Sequence, residues 1–262
     1  MEVYIGTSGW QYYHWKEKFY PENLPSKNFL NFYSQHFNTV EVNTSFYHFT
    51  KKTTFEKWIK EISLERDKNI VQSKKENFLF SIKLHRLFTH FKKLKLDKQD
   101  LKILKDTLDS YKALGNYLGP ILIQLPPSLK KDLKLLENFI NKLRKLASIK
   151  HLKLAIEFRH KSWLEKNVYK KLKELTVAFC ISDSPRWPTD FVKTTDFVYV
   201  RFHGKPKLFA SKYSEKELCE FVVKLKKLKP KFLFIYFNND FEGYAVENAL
   251  YMKYLLLNLK LK

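Results

Sequence analysis

A chain of 262 residues, 44% hydrophobic and 16% aromatic, holds ample material for one large core or two small ones. No apolar run approaches the roughly 20 residues of a spanning helix, so no membrane partner is expected. Two cysteines, Cys180 and Cys219, exclude a disulfide framework or a thiolate metal knuckle and read as buried spectators. The opening MEVYIGTSGW has neither the basic nor the apolar region of a secretory leader, and the expected compartment is cytoplasmic. A formal charge of +22 invites a nucleic-acid partner. Only six of the 49 basic residues are arginine, however, and phosphate and base recognition favours arginine. The lysines read first as a solvated surface, with nucleic-acid binding kept as an alternative.

Strand-like segments recur along the chain at 3–6, 39–43, 78–84, 121–125, 152–158, 177–182, 197–203 and 232–237. Between most of them lie amphipathic stretches of helical length. Phe29, Phe32, Tyr33 and Phe37 mark the first apolar stripe, and Leu101, Leu104, Leu108 and Tyr111 the second. Leu133, Leu136, Phe139, Ile140 and Leu143 mark a third, and Leu218, Phe221, Val222 and Leu225 a fourth. A last helix starts near Tyr244, with Leu250, Tyr254 and Leu257 as its expected apolar face. The link between strands six and seven is short and carries Pro185 and Pro188, which disfavours a full helix there. Eight strands alternating with about seven helices, without a composition break, predict a single-domain α/β fold, a closed eight-stranded parallel βα (TIM-type) barrel. A doubly wound open sheet is disfavoured because GTSGW after strand one lacks the glycine spacing of a phosphate loop.

In such a barrel the functional residues gather at the C-terminal ends of the strands, and the polar residues here do so. Ser8 and Trp10 follow strand one, and Glu41 and Asn43 share a face of strand two. Lys83 ends strand three with His85 beyond it, and Gln124 ends strand four. Glu157 and Arg159 end strand five, Asp183 closes strand six, Arg201 and His203 share a face of strand seven, and Asn238 ends strand eight. Charges on the inward face of a buried strand are costly unless paired or used.

The same residues fall in motifs that resemble the family called domain of unknown function 72, or YecE-like. These are GTSGWQYYHW with FYP, FNTVEVNTSFYHF, FLFSIKLHRLFTH, ILIQLPPS, LAIEFRHKSW, SDSP, YVRFHG, FNN and AVENA, in family order over nearly the whole chain. The resemblance implies a closed eight-stranded barrel. It implies no chemistry, because the family's activity is not established as a class.

Read as chemistry, Glu41, Glu157, Asp183 and His203 are the candidate acid–base groups. Ser8, Trp10, Asn43, Lys83, His85, Gln124, Arg159, Arg201 and Asn238 are the candidate binding residues. Together they predict a hydrolase-type barrel enzyme for a small anionic, phosphate- or sugar-bearing ligand. Three acids against three cations leave no carboxylate surplus for a resident metal, so no metal ligands are assigned. A second reading takes Glu157, Asp183 and His203, with Asn238 or Asn239, as ligands of a divalent cofactor in an endonuclease- or sugar-isomerase-like site. Asp240 and Glu242 are substitutes for the last of these. His85 and His90 flank a lid-like loop, and Trp10, Tyr12, Phe46, Tyr47 and Trp163 are candidate stacking platforms. Lys83 is expected to salt-bridge a neighbouring carboxylate, with Schiff-base chemistry the lesser alternative.

Overall fold

The structure, a computed structural model, describes residues 1–63, 78–149 and 151–258. Its strands are β1 Glu2–Thr7, β2 Thr39–Val42, β3 Leu79–Lys83, β4 Leu118–Gln124, β5 Leu154–Glu157, β6 Val177–Asp183, β7 Phe197–Phe202 and β8 Phe232–Phe237. All run parallel in the order β1-β8-β7-β6-β5-β4-β3-β2. The α-helices among the described residues are α1 Phe29–His36, α2 Thr44–Tyr47, α3 Lys52–Ser63, α4 Lys98–Tyr111, α5 Leu133–Ala147, α6 Lys166–Glu174, α7 Glu215–Lys227 and α8 Tyr244–Asn258. This is the expected βα barrel. None of these helices is long and apolar enough to cross a membrane.

Local chemistry explains where the helices start. Asp97 and Ser214 cap α4 and α7, each with its side chain accepting from the backbone three residues on while that residue's carboxylate reaches back. Asp132 caps α5, which buries Leu136, Phe139, Ile140 and Leu143 along one stripe. No helix forms between β6 and β7. There Thr194 Oγ1 accepts from the Phe179 N–H at 2.8 Å and donates to the Val177 carbonyl at 2.7 Å, tying the link to the sheet.

One expected face is wrong. In α8, Leu250, Tyr254 and Leu257 are exposed, and the helix buries Ala245, Val246, Ala249, Met252, Leu255 and Leu256 instead. Apolar residues surround this helix, so periodicity alone does not choose a face. The small Ala245 and Ala249 on the buried side allow a close approach to the barrel.

The barrel closes through side chains at one seam. β1 and β2 share a single backbone bridge, Ser8 to Glu41. Below it, the Asn38 amide accepts from the Ile5 N–H at 3.0 Å and donates to the Val3 carbonyl at 2.8 Å, as a strand residue would. The Tyr33 hydroxyl accepts from the Thr7 N–H at 2.8 Å and donates to the Thr39 carbonyl at 3.1 Å. Gly6 makes room for this contact, because a Cβ there would lie 2.0 Å from the Thr39 carbonyl oxygen.

The barrel interior is filled with side chains. Tyr4 stacks on Phe234 at the N-terminal end, with ring centroids 4.8 Å apart, and Leu122, Ala155, Ala178, Cys180, Tyr199 and Tyr236 form the middle. The charged layer sits above them at the C-terminal end.

Candidate active site at the barrel mouth

Strand alternation points Glu41, Lys83, Gln124, Glu157 and Arg201 inward, with His203 following on the same face. Arg201, 1% exposed, occupies the axis of the charged layer. It donates from Nη2 to Glu41 Oε1 at 2.8 Å and from Nη1 to Glu157 Oε2 at 2.5 Å. Glu41 also accepts from Ser8 Oγ at 2.7 Å and Tyr199 Oη at 2.6 Å, and Glu157 from Arg159 Nε at 2.8 Å. Two carboxylates therefore meet two guanidiniums in a formally neutral layer in which every carboxylate oxygen accepts at least one hydrogen bond. Burial works to raise the Glu157 pKa, but Arg201 and Arg159 outweigh it and hold the carboxyl well below the usual range. Removing one member of such a layer leaves a buried charge stranded, at a cost of about 3–5 kcal/mol.

Above this layer opens a cavity of about 490 Å³. Asn43, Lys83, His90, Gln124, Arg159 and Asn238 supply polar walls, joined by Tyr12 and Asp240, and Phe46, Tyr47 and Phe209 supply apolar ones. Arg159 stacks on Trp187, 3.9 Å from the ring centroid. It spends only Nε on Glu157, so among the described residues its two outer nitrogens have no partner. Lys83 lies over the Phe46 ring, with Nζ 3.9 Å from the centroid. Burial, with the Arg201 guanidinium, pushes the Lys83 amine down to about 7. Burial, with Lys83, likewise lowers His90 to about 4. Asp240 is raised by burial to about 6 while its carboxylate accepts from the Trp15 indole at 2.6 Å. Asn43 Oδ1 is buried without a hydrogen-bond partner.

The expected salt bridge of Lys83 is not formed: among the described residues its amine meets no carboxylate, because Arg201 and Arg159 already saturate Glu41 and Glu157. Several other candidates are placed away from the cavity. Glu41 and Ser8 lie beneath Arg201, bonded to each other. Trp10 packs edge-on against Trp58 of α3 and Phe80 on the outer face of β3, and Trp163 stacks on Phe158, so both belong to the core. His85 stacks on Phe49 with centroids 3.9 Å apart and takes the Leu87 N–H on Nδ1, while His90 reaches the cavity wall. Asp183 falls on the alternate phase of β6, where Tyr213 Oη donates to one oxygen at 2.8 Å and Lys205 pairs with the other. His203 is wholly buried, with Nε2 unpartnered and 3.8 Å from Glu157 Oε1. Burial and Arg201 lower its pKa to about 4, so it is neutral at physiological pH.

These placements bear on the divalent-cofactor reading. Among the described residues, no three of the His, Cys, Asp and Glu side chains are arranged to hold a metal ion. Glu157 is engaged by two arginines and Asp183 by Lys205 and Tyr213. The donors of that reading do not fit a metal centre.

Sequence periodicity did not mark the wall residue Phe209, nor Trp187 under Arg159, nor Lys205 beside Asp183, because all three lie in the loops after β6 and β7, where no alternation defines an inward side.

Comparison with known proteins agrees with this architecture. The family model described as protein of unknown function DUF72 matches residues 4–261. The UPF0759 protein YunF of Bacillus subtilis is 27% identical over 97% of this chain and 94% of its own. The crystal structure of a DUF72 family protein, TM1631 of Thermotoga maritima, is 28% identical and superposes with a TM-score of 0.79, covering 98% of this chain and all of that one. A sugar phosphate isomerase/epimerase from Parabacteroides distasonis shares the fold alone, at 12% identity and a TM-score of 0.54 over 97% and 94% of the two chains. With its motifs, its barrel and a model match over nearly its whole length, the chain belongs to the DUF72 family.

Proposed function

We propose that the barrel mouth is an enzyme site for a small anionic ligand, a sugar or hydroxy acid bearing phosphate or carboxylate, with Lys83 as the proton-transferring group. One observation carries this reading. Lys83 and the outer nitrogens of Arg159 face a cavity whose one carboxylate, Asp240, is already engaged by the Trp15 indole and by His14. Two unpaired cationic donors on a concave wall suit an anion. Asn43, Gln124 and Asn238 beside them suit the hydroxyls of a sugar.

The groups expected to do acid–base chemistry change accordingly. Glu41 and Glu157 give their lone pairs to arginines, so neither is free to take a proton from water. Lys83, with its pKa near 7 and no partner among the described residues, accepts and returns protons at neutral pH. This moves the reading away from carboxylate-driven hydrolysis and toward proton transfer on the bound ligand. Calorimetry with inorganic phosphate and ribose 5-phosphate tests it. Arg159→Ala and Lys83→Ala should each weaken binding at least about tenfold, the scale of one charge-assisted contact. Unchanged affinity in both variants would remove the proposal.

A further inference from the structure

Buried lysines normally meet a carboxylate. Lys83 does not: among the described residues its Nζ has neither ion-pair nor hydrogen-bond partner, and it lies over the Phe46 face, 3.9 Å from the ring centroid. Its stem is packed, with the residue 7% exposed, so the amine is held at one place on the cavity wall. An ammonium left unpaired there is poorly stabilised, and the neutral amine keeps a free lone pair. Beside it, Arg159 offers unspent donors to an anionic substituent of a bound carbonyl compound.

We propose that Lys83 forms an imine with an anionic aldehyde or ketone, a sugar phosphate or 2-oxo acid, seated in this cavity. The inference rests on the reading of the mouth as an anion site, names its substrate class and makes Lys83 the nucleophile of the reaction in place of its proton carrier. In the step, the Nζ lone pair attacks the carbonyl carbon, a C–N bond forms, and the π pair moves to oxygen. One N–H proton passes to that oxygen to give the carbinolamine. A second proton, drawn from solvent, carries the oxygen away as water and leaves the iminium.

Reductive trapping of the full chain with sodium cyanoborohydride tests this, using glyoxylate and dihydroxyacetone phosphate as probes. Intact mass and peptide mapping report the site of labelling. The expected result is one adduct per chain on Lys83, formed at probe concentrations that label other lysines at least tenfold less and suppressed by inorganic phosphate. Labelling should rise through pH 7, where Lys83 loses its proton, whereas ordinary lysines respond near pH 10. Lys83→Arg keeps the charge and should abolish the adduct while phosphate still raises its Tm. Adducts spread over surface lysines without preference for Lys83, or labelling undiminished in Lys83→Arg, overturn the imine. If phosphate stabilises the wild type yet no Lys83 adduct forms, the imine falls and the anion site stands. If phosphate gives no stabilisation and no adduct forms, both fall.

Discussion

At Lys83 an amine is buried without a counter-charge, its pKa held near 7 against an ordinary 10.5. The folded state therefore binds fewer protons than the unfolded chain between about pH 7 and 10.5, and stability rises with pH across that window. Below pH 7 the penalty is present in full. Replacing the amine with an apolar chain of similar length removes it, so Lys83→Met should raise stability at pH 7 by roughly 2–4 kcal/mol and flatten this pH dependence. Urea unfolding of both proteins at pH 7 and pH 10 measures both effects, and a less stable Lys83→Met would count against the burial argument. A residue that destabilises its fold is explained by use, as active-site residues commonly are. Lys83 was legible in the sequence as an inward charge at a strand end. Its lack of a partner was not, because that depends on Arg201 reaching across the barrel to both Glu41 and Glu157.

Among the elements, β1 and β2 depend on the seam that closes the barrel. Here Asn38 and Tyr33 stand in for a missing ladder, so single side chains carry this junction. Tyr33→Phe leaves the Thr7 N–H and the Thr39 carbonyl unpaired in a buried place, at a cost of about 1–3 kcal/mol. Gly6→Ala sets a methyl against backbone and should cost roughly 3 kcal/mol or more. Denaturant titration checks both, and equal, negligible losses would contradict the account of the seam. Sequence periodicity placed all eight strands, since each is a buried run bounded by polar turns. It misassigned the inward side of α8 because apolar residues lie on most sides of that helix and leave only a weak periodic signal.

For the whole molecule, the charge of +22 is spread largely over exposed lysines, and among the described residues few of them are paired within a helix turn, as Lys105 is with Asp109. Such a surface attracts polyanions weakly and without sequence preference, and salt screens it over about 8 Å at physiological ionic strength. Binding to a labelled DNA or RNA duplex is expected to be detectable at low salt and to fall steeply by 200 mM. Phosphate binding in the buried mouth should change far less over the same range. Fluorescence anisotropy and calorimetry at two salt concentrations separate the two. Nucleic-acid affinity that survives high salt and falls in Arg159→Ala would instead make the mouth a nucleic-acid site.

The amino-acid sequence determined the barrel, its strand order and the end at which the polar side chains collect. All of these follow from local periodicity and from the alternation of strand faces. Only the tertiary structure decided which of those side chains pair with one another and which stay free to meet a ligand. Glu41 and Arg201 lie on separate strands, 160 residues apart in sequence, and join when the chain closes. Their pairing takes the carboxylates out of reach of a ligand and leaves Lys83 and Arg159 facing the cavity.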